Sequence, residues 1–224
     1  MIKKILRRIK LYRQIRFFQY LYLNYFCKQV VRTDNSRILP YKGSVLDLAQ
    51  SARIYLSGND MELGYNRLRG SKAETLVRMH ENAVWSCEGG CTVSYGCMIE
   101  LLDHAVLDNR FFTMNSNDTL VAAKRIQLGR DVMIGRGVVI YDSDYHTIRN
   151  NDGIVINPDA QVTIGDHVWL GTHSTVLKGS TIGSNSIIGA NAMVHGNVPA
   201  NVIYQQGRVK ANYGTWGREH PRRQ

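Results

Sequence analysis

The residue best suited to chemistry in this chain is His146, in the segment IYDSDYHTI at residues 140–148. An imidazole can take the proton from a hydroxyl as that oxygen attacks a carbonyl, and such assistance contributes ~10²–10⁴-fold to a rate. Asp144 is the nearest carboxylate that could orient the ring, and Asp142 is the second. The structural alternatives are a hydrogen-bonded structural histidine or a surface turn at Asp142, Ser143 and Asp144. No nucleophile motif joining a serine or cysteine to a histidine argues for a covalent intermediate.

A six-residue period indicates which elements must position this histidine. The aliphatic members of the period are Leu128, Ile134, Ile140, Ile164, Leu170, Val176, Ile182, Ile188 and Val194. His146 follows Ile140 by six residues and precedes Ile164 by eighteen. The period therefore places it at an inward-facing position, where a histidine is costly unless it is hydrogen-bonded.

Six residues make one short strand and one corner, because a strand alternates its faces every two residues. Three sides close a triangular coil of eighteen residues, and coils must stack because one coil cannot bury its own inward face.

Residues 147–161 break the period and are polar, which predicts a loop that leaves the solenoid just after His146. From about 45 to 122 the period is looser and predicts irregular coils. The predicted organisation is a basic helical arm at 1–40, an all-β solenoid at 41–207 and a tail at 208–224.

Three stretches resemble a known family: residues 140–148, INPDAQVTIGDHVWLGTHSTVLKGSTIGSNSIIGANAMV at 156–194, and VPANVIY at 198–204. With them the chain resembles the hexapeptide-repeat O-acetyltransferases, in particular those acting on bacterial capsular or surface polysaccharides such as polysialic acid, and also the galactoside and maltose acetyltransferases. The resemblance is specific over about 110–216. It implies a left-handed parallel β-helix, direct transfer from acetyl-CoA to a sugar hydroxyl with His146 as base, no metal, and a homotrimer with each cofactor between two solenoids.

The resemblance also implies roles for other residues. Trp169 is expected beside the thioester of acetyl-CoA, and Asn115 and Asp142 are expected to bind the acceptor. In the structural alternative, Trp169 is packing bulk on a sheet and Asn115 is an ordinary turn residue. The residues expected to bind the cofactor are Gly171, Thr172, Lys178, Ala190, Ala192, His195, Arg208 and Lys210. The small ones would line a groove for the pantetheine arm, and the cations would meet the 3′-phosphate.

Other functions fit the same solenoid. A zinc hydrolase of the γ-carbonic anhydrase type needs three converging histidines, and the seven histidines of this chain show no pair one coil apart with matching orientation. A non-catalytic scaffold would leave His146 and its loop unexplained. An acetyltransferase of small soluble sugars would not need the N-terminal arm.

The formal net charge of +10 is concentrated in that arm, where residues 1–28 hold eight Lys or Arg and no acid. The rest of the chain is near neutral, so the charge does not favour nucleic-acid binding. Apolar residues from Ile2 to Tyr12 recur at helical spacing, and aromatic residues follow from Phe17 to Phe26. Such a segment suits an anionic membrane surface, or a helix packed on the protein or on a neighbouring subunit. The expected location is the cytoplasm, at the inner face of the cell membrane if the arm binds lipid.

The four cysteines are expected to be buried structural thiols. Cys87, Cys91 and Cys97 follow a C-x3-C-x5-C pattern, which is poor spacing for a zinc site, and Cys27 stands apart. A reduced compartment is consistent with this usage.

Overall fold

The computed structural model describes residues 14–219, without the side chains of residues 211 and 212. Its strands form three sheets, which are the faces of a triangular prism. Sheet 1 contains β1 (Val30–Arg32), β4 (Arg53–Ser57), β7 (Val84–Glu88), β10 (Val106–Asn109), β13 (Arg125–Leu128), β16 (Val162–Ile164), β19 (Thr181–Ile182) and β22 (Asn197–Val198). Sheet 2 contains β2 (Ile38–Pro40), β5 (Met61–Tyr65), β8 (Cys91–Ser94), β11 (Phe112–Met114), β14 (Val132–Ile134), β17 (Trp169–Leu170), β20 (Ile187–Ile188), β23 (Val202–Gln205) and β24 (Arg208–Asn212). Sheet 3 contains β3 (Ser44–Leu48), β6 (Thr75–Met79), β9 (Met98–Leu101), β12 (Thr119–Ala122), β15 (Val139–Tyr141), β18 (Thr175–Val176) and β21 (Met193–Val194).

The predicted left-handed parallel β-helix is confirmed. Each strand pairs in parallel with strands three places earlier and later in the chain, so successive coils stack along the prism axis. In the described part of the chain, the exception is the antiparallel pair β23–β24 at the C-terminal end. Consecutive sides of each coil lie on sheets 1, 2 and 3 in turn.

The aliphatic residues of the six-residue period face the interior of the prism, as predicted. From Ile164 to Val194, each of them is at most 1% exposed. A second inward position lies two residues before each of them. Its occupants are Val162, Val168, Ser174, Ser180, Ser186 and Ala192, all at most 2% exposed. Because two faces converge at each corner, these corner positions have room mainly for small side chains.

Close stacking of coils also explains the glycine that follows several of these aliphatic residues. A Cβ added to Gly171 would lie 2.6 Å from the carbonyl oxygen of Ile188 in the next coil, and one added to Gly135 would lie 2.8 Å from that of Leu170. No side chain fits at such distances, so these corners require glycine.

The upstream coils are irregular, as predicted, but belong to the same three sheets. They contain the buried thiols: Cys87 and Cys91 lie on β7 and β8, Cys97 immediately precedes β9, and Cys27 follows the N-terminal helical turns. All four are free and buried, which confirms the structural interpretation of these cysteines.

The boundary predicted at residue 41 was wrong, because β1 and β2 lie within the segment assigned to the arm. These strands are three residues each and fall outside the six-residue period, so no sequence signal marked them. Before them, α1 (Phe17–Leu21) and a π-helical turn (Tyr22–Phe26) close the N-terminal end of the prism. The helix predicted from Ile2 to Tyr12 lies outside the described residues. Within residues 14–219, no helix is both long and apolar enough to cross a membrane.

The C-terminal segment folds back along the corner between sheets 1 and 2, instead of forming a separate tail from residue 208. The indole of Trp216 stacks on His167 with ring centroids 4.1 Å apart, and its Nε1 donates to the His167 carbonyl at 2.9 Å. Arg218 forms an ion pair of 2.7 Å with Asp131, which also contacts the His167 ring at 2.7 Å. Sheet 2 therefore has its outer surface partly covered by the chain's own C-terminus.

Candidate active site

His146 lies on an exposed loop, so the predicted inward register was wrong. The loop leaves the solenoid at Asp142, before the histidine. Ile140 pairs with Val176, which lies 36 residues later, whereas Val176 pairs with Val194 only 18 residues later. The insertion is thus eighteen residues, three full periods. An insertion of this length leaves the phase unchanged on both sides, and the sequence period could not detect that His146 belongs to it.

The loop predicted at residues 147–161 is an ordered hairpin. Arg149 and Val155 form an antiparallel bridge, and the backbone of Ile156 donates to the Ile148 carbonyl at 2.9 Å. At its tip, the Asn150 carboxamide accepts from the backbone of Ile154 at 2.9 Å. These bonds give the loop a defined shape, which a catalytic group on a loop requires.

Asn157, which the sequence analysis did not single out, fixes His146 at the base of this hairpin. Its Nδ2 donates to the His146 carbonyl oxygen at 2.8 Å and to Asp144 Oδ2 at 3.0 Å. Its Oδ1 accepts from the backbone of Ile148 at 2.6 Å. One carboxamide therefore joins both strands of the loop. The only available signal was an asparagine within a segment already identified as a loop.

Asp144 is held by Lys178 and does not contact the His146 ring in the described structure. Lys178 Nζ lies 2.5 Å from Asp144 Oδ2 and also donates to the Asn157 carbonyl at 2.9 Å. The hydrogen bonds from Lys178 and Asn157, together with the charges of Lys178 and His195, lower the pKa of Asp144. Asp144 is joined to His146 through the backbone, since the His146 amide donates to the Asp144 carbonyl at 2.7 Å. The expected direct orientation of the imidazole by Asp144 is thus absent from this conformation.

Lys178 differs from its predicted role as a phosphate ligand. Its side chain is 16% exposed, and its ammonium is already paired with Asp144 and with loop carbonyls. Because its charge is compensated, it anchors the loop to the next coil instead of presenting a free cation.

Asp142 is fully buried and holds a corner of the solenoid, so it does not face an acceptor as predicted. Its carboxylate accepts from the backbone amides of Ala123, Lys124 and Arg125 at 2.6, 2.9 and 2.6 Å. Burial raises the pKa of Asp142, and the three amide donors oppose that shift. The residue fixes the point at which the loop departs.

A cleft of about 430 Å³ opens between the loop and the preceding coils. Its walls are mainly polar on the loop side, where His146, Asp144 and Asn157 lie. They are apolar on the solenoid side, where Leu102 and Ala123 lie. Tyr145 is half-exposed at its edge, with its ring 5.5 Å from that of Tyr141. A polar cleft with an aromatic ring suits a carbohydrate, which presents hydroxyls and apolar C–H faces.

The other predicted site residues lie on different parts of the same chain. Trp169 is on β17 of sheet 2, 37% exposed, with its indole 6.1 Å from that of Trp216. Asn115 follows β11 at the corner between sheets 2 and 3, where its Nδ2 donates to the Ile134 carbonyl at 3.0 Å. His146 projects from the corner between sheets 3 and 1. Within one chain, these three residues are not brought together.

The residues predicted to bind the cofactor also lie on separate parts of the chain. Gly171, Thr172 and Ala190 lie at the corner between sheets 2 and 3, and His195 lies with Asp144 at the corner between sheets 3 and 1. Arg208 and Lys210 are exposed on β24 at the C-terminal end. Ala192 is buried at one of the small inward corner positions, so it cannot line a groove as predicted. Among residues 14–219, no group of three or more His, Cys, Asp or Glu is arranged to hold a metal ion.

Comparison with known proteins supports the resemblance seen in the sequence. Residues 161–196 match the family model described as bacterial transferase hexapeptide (six repeats). A polysialic acid O-acetyltransferase of Neisseria meningitidis is 39% identical over 61 residues, which are 26% of this chain and 28% of that protein. The match therefore spans little more than a quarter of that relative's length.

Two solved structures are similar over most of the chain. The polySia-specific acetyltransferase NeuO is 19% identical, with a TM-score of 0.52 over 86% of this chain and 91% of that one. The polysialic acid O-acetyltransferase OatWY is 20% identical, with a TM-score of 0.48 over 86% of this chain and 92% of that one. At these identities the likeness concerns the fold, and NeuO supports its assignment as a hexapeptide-repeat β-helix.

Proposed function

We propose that this chain is an O-acetyltransferase that moves an acetyl group from acetyl-CoA to a sugar hydroxyl, with His146 as general base. The observation that carries the proposal is the position of His146. It lies on an ordered hairpin at the wall of an open polar cleft. Hydrogen bonds from Asn157 and the ion pair of Lys178 with Asp144 hold this hairpin in place. A structural histidine would not need such a support. The family match at residues 161–196 supports transferase chemistry on this solenoid.

His146 would take the proton of the sugar hydroxyl as that oxygen attacks the thioester carbonyl. The acetyl group moves directly to the oxygen as the thioester C–S bond breaks, and the thiolate of coenzyme A leaves and takes up the proton that His146 received. Polar side chains at the cleft would hold the sugar, and Asp144 would act on the histidine through the loop backbone. Direct transfer requires both substrates at one site, so acetyl-CoA must reach the cleft while the sugar occupies it.

The separation of the predicted site residues supports a site shared between subunits of a homotrimer. A three-fold axis joins unlike surfaces of neighbouring protomers. The corner that carries His146 and His195 in one protomer would then face the surface that carries Trp169, Asn115 and Gly171 in the next. The small residues Thr172 and Ala190 fit an extended pantetheine arm, and the exposed cations Arg208 and Lys210 fit its phosphates.

The acceptor class we propose is a bacterial surface polysaccharide. The cleft is open to solvent, which lets a polymer pass through it, whereas a small soluble sugar would be better retained in a closed pocket. The partial identity to a protein named polysialic acid O-acetyltransferase points to the same class. Measuring acetyl-CoA consumption with a panel of polysaccharides and with free mono- and disaccharides separates the two acceptors.

The variant His146→Ala tests the proposed base. We expect kcat to fall by roughly 10²–10⁴-fold, since general-base assistance contributes about that much. The oligomer and the thermal transition should be unchanged, because the ring is exposed. His104→Asn is the matched control: His104 is also exposed, two coils earlier at the same corner, and asparagine tolerates its positive φ of 63°. Turnover by His146→Ala within a few-fold of the unmodified enzyme would refute the assignment.

A further inference from the structure

The N-terminal end of the prism presents an exposed aromatic surface, formed by Phe17, Phe18, Tyr22, Tyr25 and Phe26. These side chains are between 52% and 85% exposed. Apolar groups gathered in this way on a folded protein mark a contact with a partner or a membrane. We call this the aromatic end surface.

The orientation of this surface is fixed by the opposite side of the same segment. Leu23 is 3% exposed and packs on the core of the prism. Asn24 is 5% exposed, donates to the Ile38 carbonyl at 2.8 Å and accepts from the Ile38 amide at 2.9 Å. The helical turns therefore cannot rotate to bury the rings without breaking these contacts. The aromatic residues are held outward by the fold.

Positive charge surrounds the rings. A hollow between Tyr22 and Phe26 is also lined by Lys28 and Arg53, and no acidic residue lines it among the described residues. The guanidinium of Arg32 lies 5.6 Å from the centre of the Tyr25 ring. In the sequence, residues 1–13 add six Lys or Arg and no acid. The surface thus combines exposed aromatic rings with neighbouring lysine and arginine side chains.

We propose that the aromatic end surface docks on an anionic lipid bilayer. Phenylalanine and tyrosine rings are suited to the boundary between headgroups and acyl chains, and lysine and arginine pair with anionic headgroups. A second copy of the chain is a poorer occupant, because joining two such ends would oppose like charges. The inference goes beyond acetyl transfer, and its measurement does not depend on activity.

Docking in this way would place the catalytic cleft at a fixed height above the membrane. β15, from which the loop of His146 departs, is four strands along sheet 3 from β3. At ~4.8 Å for each spacing, the cleft lies roughly 20 Å further along the prism axis. In a trimer with parallel axes, three aromatic end surfaces would face the same bilayer, and their binding would be strengthened by avidity.

Sedimentation of the full-length protein with vesicles tests the proposal. Vesicles of phosphatidylcholine with phosphatidylserine are compared with vesicles of phosphatidylcholine alone, at low and high salt. We expect binding to the anionic vesicles that weakens with salt. The affinity of the double variant Phe18→Ser, Phe26→Ser for these vesicles should be at least roughly tenfold lower, because two exposed rings no longer insert.

The matched control is Leu68→Ser, Val209→Ser, which removes two exposed apolar side chains elsewhere on the prism and should bind normally. Equal binding by the two double variants, equal binding to both kinds of vesicle, or no binding would overturn the proposal. So would a higher oligomer without lipid that Phe18→Ser, Phe26→Ser converts to a smaller one, because the occupant would then be a second copy. Unchanged thermal transitions of both double variants show that the fold is intact.

Discussion

The side-chain amide of Asn157 donates a hydrogen bond of 2.8 Å to the carbonyl oxygen of His146, across eleven residues of loop. The same amide reaches Asp144, which is paired with Lys178 of the next coil. The proposed base is thus connected to the rigid solenoid by a chain of polar contacts, although the loop itself is exposed. Loops that carry function are usually positioned by a scaffold in this manner.

Replacing Asn157 by alanine should lower activity without unfolding the solenoid. The loss of three hydrogen bonds frees the base of the hairpin, and misplacing a catalytic group by about 1 Å can cost as much as 10²-fold. We expect kcat to fall roughly 10–100-fold and the thermal transition to change little, as measured by steady-state kinetics and calorimetry. Asn151→Ala, an exposed substitution in the same loop, is the control. Equal activity of the two variants would show that the Asn157 contacts do not position His146.

A site shared between subunits makes a separate prediction about mixed trimers. His146→Ala and Trp169→Ala each remove one side of the proposed site, so each variant alone should have little activity. If the two chains assemble at random, one interface in four retains both residues, because each side is intact with a probability of one half. Co-expressed chains should therefore recover up to about a quarter of the activity.

The control for this experiment mixes two versions of the same side, His146→Ala with His146→Asn, which should recover nothing. If trimers that contain both His146→Ala and Trp169→Ala chains regain no activity, His146 and Trp169 do not form one site shared between subunits.

Asp118 predicts a pH dependence of stability. It is fully buried beside Asn115 at the corner between sheets 2 and 3, and its Oδ2 has no hydrogen-bond partner in the described structure. Desolvation raises its pKa from an ordinary 3.8 to about 8, although Val138 donates a backbone bond of 2.8 Å to Oδ1. The folded protein therefore binds a proton that the unfolded chain releases between these values. Its contribution to stability is complete below about pH 4 and is lost as the pH rises towards 8.

Urea unfolding at fixed protein concentration between pH 5 and pH 8.5 measures this effect. The free energy of unfolding should decrease with pH by as much as about 1.4 kcal/mol per unit from this group alone. Asp118→Asn, which is neutral at every pH, should lack that decrease, whereas Asp152→Asn in the exposed loop should keep it. The same pH dependence in all three proteins would contradict the raised pKa.

Sequence patterns predicted the repeated part of the fold because each coil obeys the same local rule. An aliphatic residue at every sixth position must face inward, and Ile164 and Leu170 do so. The less regular coils upstream followed from the same rule applied loosely. The short strands β1 and β2 were missed, since three residues outside the period carry too little pattern to separate them from an arm.

The sequence by itself determined the β-helix, the histidine with suitable chemistry and the presence of a loop. Only the tertiary structure decided that His146 lies on that loop, because an insertion of three full periods leaves the sequence phase intact. It also decided that Asp142 fixes a corner and that Lys178 anchors the loop. Those roles depend on which coil lies above which, and pairing between coils joins residues that are 18 or 36 positions apart. The six-residue spacing gives the eighteen-residue coil but does not reveal the insertion, so the partners around the loop were decided by stacking.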